Sequence, residues 1–179
     1  MTRDPAGSST SGLASPDPAT SRDEPLVTGY SGRLLLAVSV GWAAIQGGRL
    51  VMSPLLPTIK ADLSLSNAEA GFIFTVLWGL YALLQYPSGR LSDRLTRKTL
   101  LVAGLTLAAV GFAGLAVAPT YATLIAAAAV VGTGVGLYPT AARALISDVF
   151  VRRRAQAFGL HTAWADIGGV AAAGLATVV

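Results

Sequence analysis

Five long apolar runs constrain this chain more than any other feature of its sequence. They lie at about residues 34–56, 70–88, 99–118, 121–146 and 155–179. About 20 helical residues cross the ~30 Å hydrocarbon core of a bilayer, so each run is long enough to span it. Lipid offers no hydrogen bonds to a free backbone, and the runs lack the alternation of a membrane β-barrel. The sequence therefore predicts an all-α polytopic membrane protein with five transmembrane helices in contact with the lipid bilayer.

The composition agrees with a membrane protein and argues against several kinds of site. Only 12% of the residues are charged, whereas a soluble domain carries about 25%. The chain has no cysteine and one histidine, so we expect no disulfide, no metal site and no cofactor. The net charge of +4 is spread between apolar runs, which argues against a nucleic-acid partner. A Gly-x-Ser-x-Gly turn is also missing, so we expect no enzyme.

The distribution of basic residues predicts the topology. The connections after the second and fourth runs are basic, whereas the two connections on the other side contain one basic residue, Lys60. The positive-inside rule places the basic connections in the cytoplasm, together with the polar tail of residues 1–33, which we expect to be disordered. The first apolar run begins only at Leu34, so we expect no cleaved signal. The prediction is a multi-pass plasma-membrane protein with a cytoplasmic N-terminus.

Local signals mark how the helices begin and pack. Ser66 and Glu69 have the spacing of a capping box at the start of the second run. The connection between the third and fourth runs is very short, which predicts an antiparallel helix pair. Gly132 and Gly136 form a small-xxx-small pair, which favours close packing against another helix. A kink at Pro139 could open a polar patch beside them.

The densest charge lies in the stretch GRLSDRLTRK, residues 89–98, between the second and third runs. The simplest interpretation is that its charges keep the connection inside the cell. Asp93 could also cap the next helix, or pair with Arg143 or with an arginine of its own stretch. The stretch resembles the major facilitator superfamily signature G-x-L-x-D-R-x-G-R-K-x-x-L. The matching residues are Gly89, Leu91, Asp93, Arg94, Arg97, Lys98 and Leu101. Thr96 stands where the family usually has glycine.

This resemblance implies the first five helices of the six-helix N-terminal half of a twelve-helix transporter. The signature would then be a conformational element, with its basic residues paired to groups near the end of the fourth helix. The candidate partners are Arg143 and Asp148. Residues 34–179 would be part of a transmembrane domain whose partner is the C-terminal half, so we expect a fragment of a longer protein.

A polar stripe follows one face of the first run. Trp42, Gln46, Arg49 and Ser53 lie at i, i+4, i+7 and i+11. A charge inside a membrane costs ~2.5–3.5 kcal/mol and usually faces a cavity or a partner. The resemblance implies that this helix lines the central cavity, so the stripe is a candidate substrate site in which Arg49 binds an anionic group. A structural ion pair, or an arginine that reaches to the outer surface, are equal alternatives.

Asp166 in the fifth run is a second intramembrane charge. It is a candidate for proton coupling, or for a fixed ion pair with Arg49. His161 lies on a different face of the helix, and we interpret it as a packed side chain.

Together these features predict a secondary active transporter that moves a small solute by alternating access, with an organic anion as the class that Arg49 favours. Trp164 and Ala165 replace the Gly-Pro of the drug-antiporter signature, and Ala128 replaces an arginine that many proton-coupled members carry. The alternative is a non-transporting truncated membrane protein or an assembly partner.

Overall fold

The computed structural model describes residues 25–176, apart from the side chains of residues 92–94. These residues form five helices and no strand, which confirms the predicted all-α fold. The helices are α1 (Gly29–Asp62), α2 (Asn67–Arg94), α3 (Arg97–Ala116), α4 (Tyr121–Val149) and α5 (Arg154–Ala176). Most of the predicted tail, residues 1–24, lies outside the described residues, as do residues 177–179.

Four of the helices, α1 to α4, are long and apolar enough to cross a membrane. The fifth helix has 23 residues, which is long enough, but Arg154, His161 and Asp166 lower its mean hydropathy. The first helix is longer than its apolar run, because it begins before Leu34 and continues past Pro57 to Asp62. Prolines are tolerated in spanning helices when neighbouring groups satisfy the freed carbonyls.

The predicted capping box at the start of α2 is confirmed. The Oγ atom of Ser66 accepts a hydrogen bond from the Glu69 backbone N–H at 3.2 Å. The carboxylate of Glu69 accepts one from the Ser66 backbone N–H at 2.8 Å. Thr120 and Thr123 form a second capping box at the start of α4. That cap follows a turn of only a few residues, so α3 and α4 form the predicted antiparallel pair.

The charged stretch at residues 89–98 is mostly helical, which corrects its prediction as a connecting loop. Helix α2 continues through this stretch to Arg94, because arginine and leucine favour helix and no proline interrupts residues 89–94. Thr96 is the N-cap of α3 and accepts a hydrogen bond from the Thr99 N–H at 3.3 Å. The prediction that Asp93 caps this helix is therefore wrong. The backbone of Thr96 is extended, with φ of −66°, so the turn does not need the family's glycine.

Close backbone approach organises the packing of the helices. Helix α4 packs between α2 and α3, and α1 packs against α5. A Cβ atom added to Gly132 would lie 2.5 Å from the Leu77 carbonyl oxygen of α2, which confirms the packing role of this glycine. A Cβ atom on Gly104 would lie 2.9 Å from the Gly134 oxygen across the α3–α4 contact. Small residues in these positions let the helix backbones approach each other closely.

Candidate functional site

The polar stripe predicted on α1 divides into two separate clusters. Gln46 and Arg49 face aromatic residues of α2, whereas Trp42 packs against rings of α4 and α5. Ser53 is exposed. Trp42 and Arg49 are seven residues apart, which is about 10 Å along the helix at ~1.5 Å per residue. The four residues therefore share one helix without forming one site.

The first cluster surrounds the guanidinium group of Arg49. Its Nη1 atom donates a hydrogen bond to the Gln46 Oε1 atom at 2.5 Å. Its Cζ atom lies 4.0 Å from the centre of the Trp78 ring and 5.2 Å from the centre of the Tyr81 ring. These two rings meet edge to face, with centroids 5.7 Å apart. The guanidinium plane is thus held against aromatic surface by cation–π attraction.

One donor of Arg49 has no partner. Its Nε atom is buried and lacks a hydrogen bond within the part of the chain that the structure describes. The acid proposed as its partner, Asp166, is exposed on α5, and no ion pair joins the two among residues 25–176. A buried donor on a charged group without a partner costs free energy. Within the described residues, Arg49 is thus held by one hydrogen bond and two aromatic rings, with no opposite charge beside it.

The second cluster is an aromatic stack about 10 Å away along α1. The Trp42 ring lies parallel to the Tyr138 ring, with centroids 6.1 Å apart and an interplanar angle of 4°. It also stacks on His161, at 6.4 Å and 19°. The Nδ1 atom of His161 is 3.2 Å from the Ser39 Oγ atom, and both residues are buried. This placement agrees with the interpretation of His161 as a packed side chain.

A cavity of about 220 Å³ opens beside this stack, between α1, α4 and α5. It is lined by Trp42, Pro139, Arg143, Phe158, His161 and Thr162. It lies toward the end of the bundle where the basic residues gather, here called the basic end. That end is defined by Arg90, Arg97, Lys98, Arg152, Arg153 and Arg154.

The predicted conformational residues are only partly brought together. Arg97 forms an ion pair with Asp148, and its Nη1 atom also donates to the Ala144 carbonyl oxygen at 2.5 Å. Arg143 instead lines the cavity, and its Nε atom donates to the Pro139 carbonyl oxygen at 3.3 Å. Lys98 is exposed.

The structure describes no side-chain contact for three further residues of the signature. Gly89 lies inside α2, and a Cβ atom there would meet open space. The side chains of Asp93 and Arg94 lie outside the described residues. The structure therefore describes one ion pair of this element, the one that joins the start of α3 to the end of α4.

Sequence reasoning missed the contribution of α2. Trp78 and Tyr81 hold Arg49, and farther along the same helix Ser88 donates a hydrogen bond to the Thr140 Oγ1 atom at 3.0 Å. Gln85 also joins this contact, at 3.4 Å from the same oxygen. These four residues of α2 follow one another at spacings of three or four, so a search for a polar and aromatic stripe would have found them.

The described residues contain no group of three acidic, histidine or cysteine side chains that could hold a metal ion. The groups that the two clusters do present are hydrogen-bond donors, a guanidinium and aromatic faces. A fixed guanidinium on an aromatic platform can orient a carboxylate, sulfonate or phosphate.

Comparison with known proteins agrees with the topology and the signature. A family model described as Major Facilitator Superfamily matches residues 30–179. An uncharacterized MFS-type transporter of Mycobacterium tuberculosis is 32% identical over 138 residues, which cover 76% of this chain and 23% of the relative. The class C tetracycline resistance protein of Escherichia coli is 37% identical over 127 residues, or 68% of this chain and 31% of the relative.

A gentisate transporter of Corynebacterium glutamicum is 31% identical over 157 residues, which cover 86% of this chain and 35% of the relative. The chain thus spans between 23% and 35% of the length of these curated relatives.

Proposed function

The chain belongs to the Major Facilitator Superfamily, and from this premise we propose that it forms the first part of a secondary active transporter for a small organic anion. Transport would proceed by alternating access, with a second helical half as the structural partner. The observation that carries the anion assignment is the unpaired Arg49 on its aromatic platform.

Arg49 lies within the long apolar helix α1. Placing an arginine within a membrane costs ~2.5–3.5 kcal/mol on the insertion scale. Cation–π attraction offsets part of that cost, about 1–2 kcal/mol from Trp78 and less from the more distant Tyr81. A bidentate carboxylate would satisfy the remaining donors and supply the opposite charge. The site is thus better suited to an anion than to a neutral or cationic solute.

The names of the relatives are compatible with an organic anion as the solute, but they do not single it out. One is named for gentisate, an organic anion, and another for tetracycline resistance. The names therefore cover more than one kind of solute. Trp164 and Ala165, where drug antiporters carry Gly-Pro, favour the organic anion over a drug.

The ion pair between Arg97 and Asp148 supports a conformational role for the basic end. We assign this end to the cytoplasmic face of the plasma membrane, which also places the N-terminus in the cytoplasm. The pair would hold α3 against α4 in one state of the cycle and open in another. Gly89, Asp93, Arg94 and Lys98 belong to the same proposed element.

Asp166 is the proposed coupling residue. Its carboxylate is exposed on α5 and makes no ion pair with Arg49. With Asp166→Asn, uptake should no longer respond to a pH gradient, while exchange of solute across the membrane continues. A normal response to the gradient would remove Asp166 from this role.

The test of the function is uptake by proteoliposomes that contain the protein encoded by the complete gene, with gentisate and benzoate as probes. Arg49→Ala should abolish uptake although the protein is still expressed and inserted, and Arg49→Lys should restore only part of it, because lysine lacks the planar fork. The control is Arg90→Gln, which removes an arginine that stacks on Tyr86 at the basic end. Full uptake by Arg49→Ala would refute the anion site.

A further inference from the structure

The cavity beside Trp42 lies outside the Arg49 site, and the proposed function does not use it. We propose that it is a second binding site, specific for a single-ring aromatic carboxylate. It would hold the solute between the Arg49 site and the basic end. This inference rests on the proposed function for its solute class, but it concerns different residues and is tested separately.

The size and lining of the cavity suit one aromatic ring. Its volume of about 220 Å³ is below the ~300–1,000 Å³ of pockets for drug-sized ligands. Trp42, Phe158 and Pro139 supply apolar wall from three different helices. A planar ring can stack against such a wall, whereas a flexible chain or a large polycyclic solute would leave it poorly filled.

The polar groups of the cavity suit a carboxylate. Arg143 uses its Nε atom for the Pro139 carbonyl oxygen, and its two Nη atoms have no other hydrogen-bond partner among the described residues. The Nδ1 atom of His161 is engaged with Ser39, which leaves the Nε2 atom for a ligand. Thr162 adds a hydroxyl donor. An arginine fork with two neutral donors is a set that recognises a carboxylate.

The wall of this cavity is held in place before any ligand arrives. Trp42 stacks between Tyr138 and His161, and the Tyr138 hydroxyl donates to the Val38 carbonyl oxygen at 2.8 Å. A ring fixed in this way loses little freedom on binding, so the ligand gains more from the contact. The distance of about 10 Å along α1 from Trp42 to Arg49 keeps the two sites separate.

The test measures benzoate binding by equilibrium dialysis to the purified protein encoded by the complete gene, in an Arg49→Gln background. That background removes the first site, so the binding that remains reports the cavity. Arg143→Gln added to it should weaken benzoate binding about tenfold or more, as expected for the loss of a charged hydrogen bond. The matched control, Arg90→Gln in the same background, should bind benzoate as before.

Two ligand controls separate the ring from the charge. Acetate carries the carboxylate without the ring, and benzyl alcohol carries the ring without the charge, so both should compete only weakly with benzoate. Thr162→Val should give a smaller loss than Arg143→Gln. Binding that Arg143→Gln leaves unchanged would overturn the proposal, and so would a complete loss of benzoate binding in Arg49→Gln alone. Neither outcome would affect the uptake test of Arg49, which decides the proposed function independently.

Discussion

Helices α1 and α4 are alike in length and apolar character, yet they differ in how much of their surface is buried and in what the rest of it contacts. Half of the 18 most apolar consecutive residues of α4 are buried, 50% against 33% for α1. Helix α4 meets α2 and α3 through glycines at which backbones almost touch. Helix α1 also approaches α5 closely, at Gly47 and Gly168. Unlike α4, it presents Trp42 to one set of rings and Arg49 to another.

The difference shows that the position of a membrane helix can depend on contacts of its backbone or on contacts of its side chains. On α4 the contact is between main chains, so almost any side chain larger than hydrogen would disturb it. On α1 the backbone contact with α5 is accompanied by contacts of Trp42 and Arg49 that depend on particular rings and donors, which a ligand can join or replace. We therefore expect substitutions on α4 to affect folding, and substitutions around the α1 polar groups to affect binding.

The largest effect is expected from Gly134→Ala, which tests the α4 half of the comparison. The added Cβ atom would overlap the Ala108 backbone nitrogen and lie 2.7 Å from the Gly104 carbonyl oxygen. Backbone atoms cannot move aside as a flexible side chain can. We expect a loss of ~1–3 kcal/mol in the free energy of unfolding. It would appear as a lower melting temperature of the protein in detergent.

Gly79→Ala is the matched control for this substitution. Gly79 lies in α2, and a Cβ atom there would meet nothing within 4 Å. Alanine favours helix over glycine by about 1 kcal/mol, so this variant should melt at the same temperature or slightly higher. Equal destabilisation by both changes would mean that backbone approach is not what fixes α4.

Much of the fold was predictable because its signals are local. Apolar length gave the number of helices, Ser66 and Glu69 gave the start of α2, and Gly132 indicated a close helix contact. The end of α2 was missed because charge was interpreted as a loop, although nothing in residues 89–94 prevents a helix. The cap of α3 at Thr96 was missed for the same reason.

Trp78→Ala tests the α1 half of the comparison and is expected to have the second largest effect. It removes the ring that lies 4.0 Å from the Arg49 guanidinium. Loss of ~1–2 kcal/mol of cation–π energy should raise the KM for the transported anion about tenfold. Trp78→Phe keeps an aromatic face and should stay near the wild-type KM. A variant with unchanged KM and a lower melting temperature would make Trp78 a packing residue only.

The site was less predictable than the fold, since it depends on which helices meet. The spacing of Trp42, Gln46 and Arg49 placed them on one face of α1, but spacing cannot say that Trp42 and Arg49 meet different neighbours. That separation arises because the Arg49 side chain reaches rings of α2, whereas Trp42, two turns earlier, stacks on rings of α4 and α5. The pairing of Ser39 with His161 likewise joins residues that are far apart in the sequence.

Ser39→Ala tests whether the aromatic stack depends on this buried pair. Ser39 is 0% exposed, and its loss would leave the His161 Nδ1 atom without its partner. We expect a loss of about 1 kcal/mol in the free energy of unfolding, measured by thermal melting in detergent. Ser53→Ala on the same helix removes an exposed hydroxyl and should leave the melting temperature unchanged. If the two variants melt alike, the contact does not stabilise the stack.

The smallest effect is expected at the basic end, where Arg97 and Asp148 form an ion pair across the α3–α4 contact. Their side chains are 32% and 56% exposed, so the pair is screened by water and salt. A double-mutant cycle with Arg97→Gln and Asp148→Asn should give a coupling energy of about 0.5–1 kcal/mol, smaller at high ionic strength.

A weak coupling would suit the conformational role proposed for this pair. A contact that opens in every cycle has to be weaker than the glycine contacts farther along the same two helices. Each single variant should therefore change the transport rate more than the melting temperature. A coupling energy above about 2 kcal/mol would be too large for an exposed pair. It would mean that the ion pair stays formed in every state of the protein. In that case α3 and α4 would move as one body, and the conformational change would have to take place elsewhere.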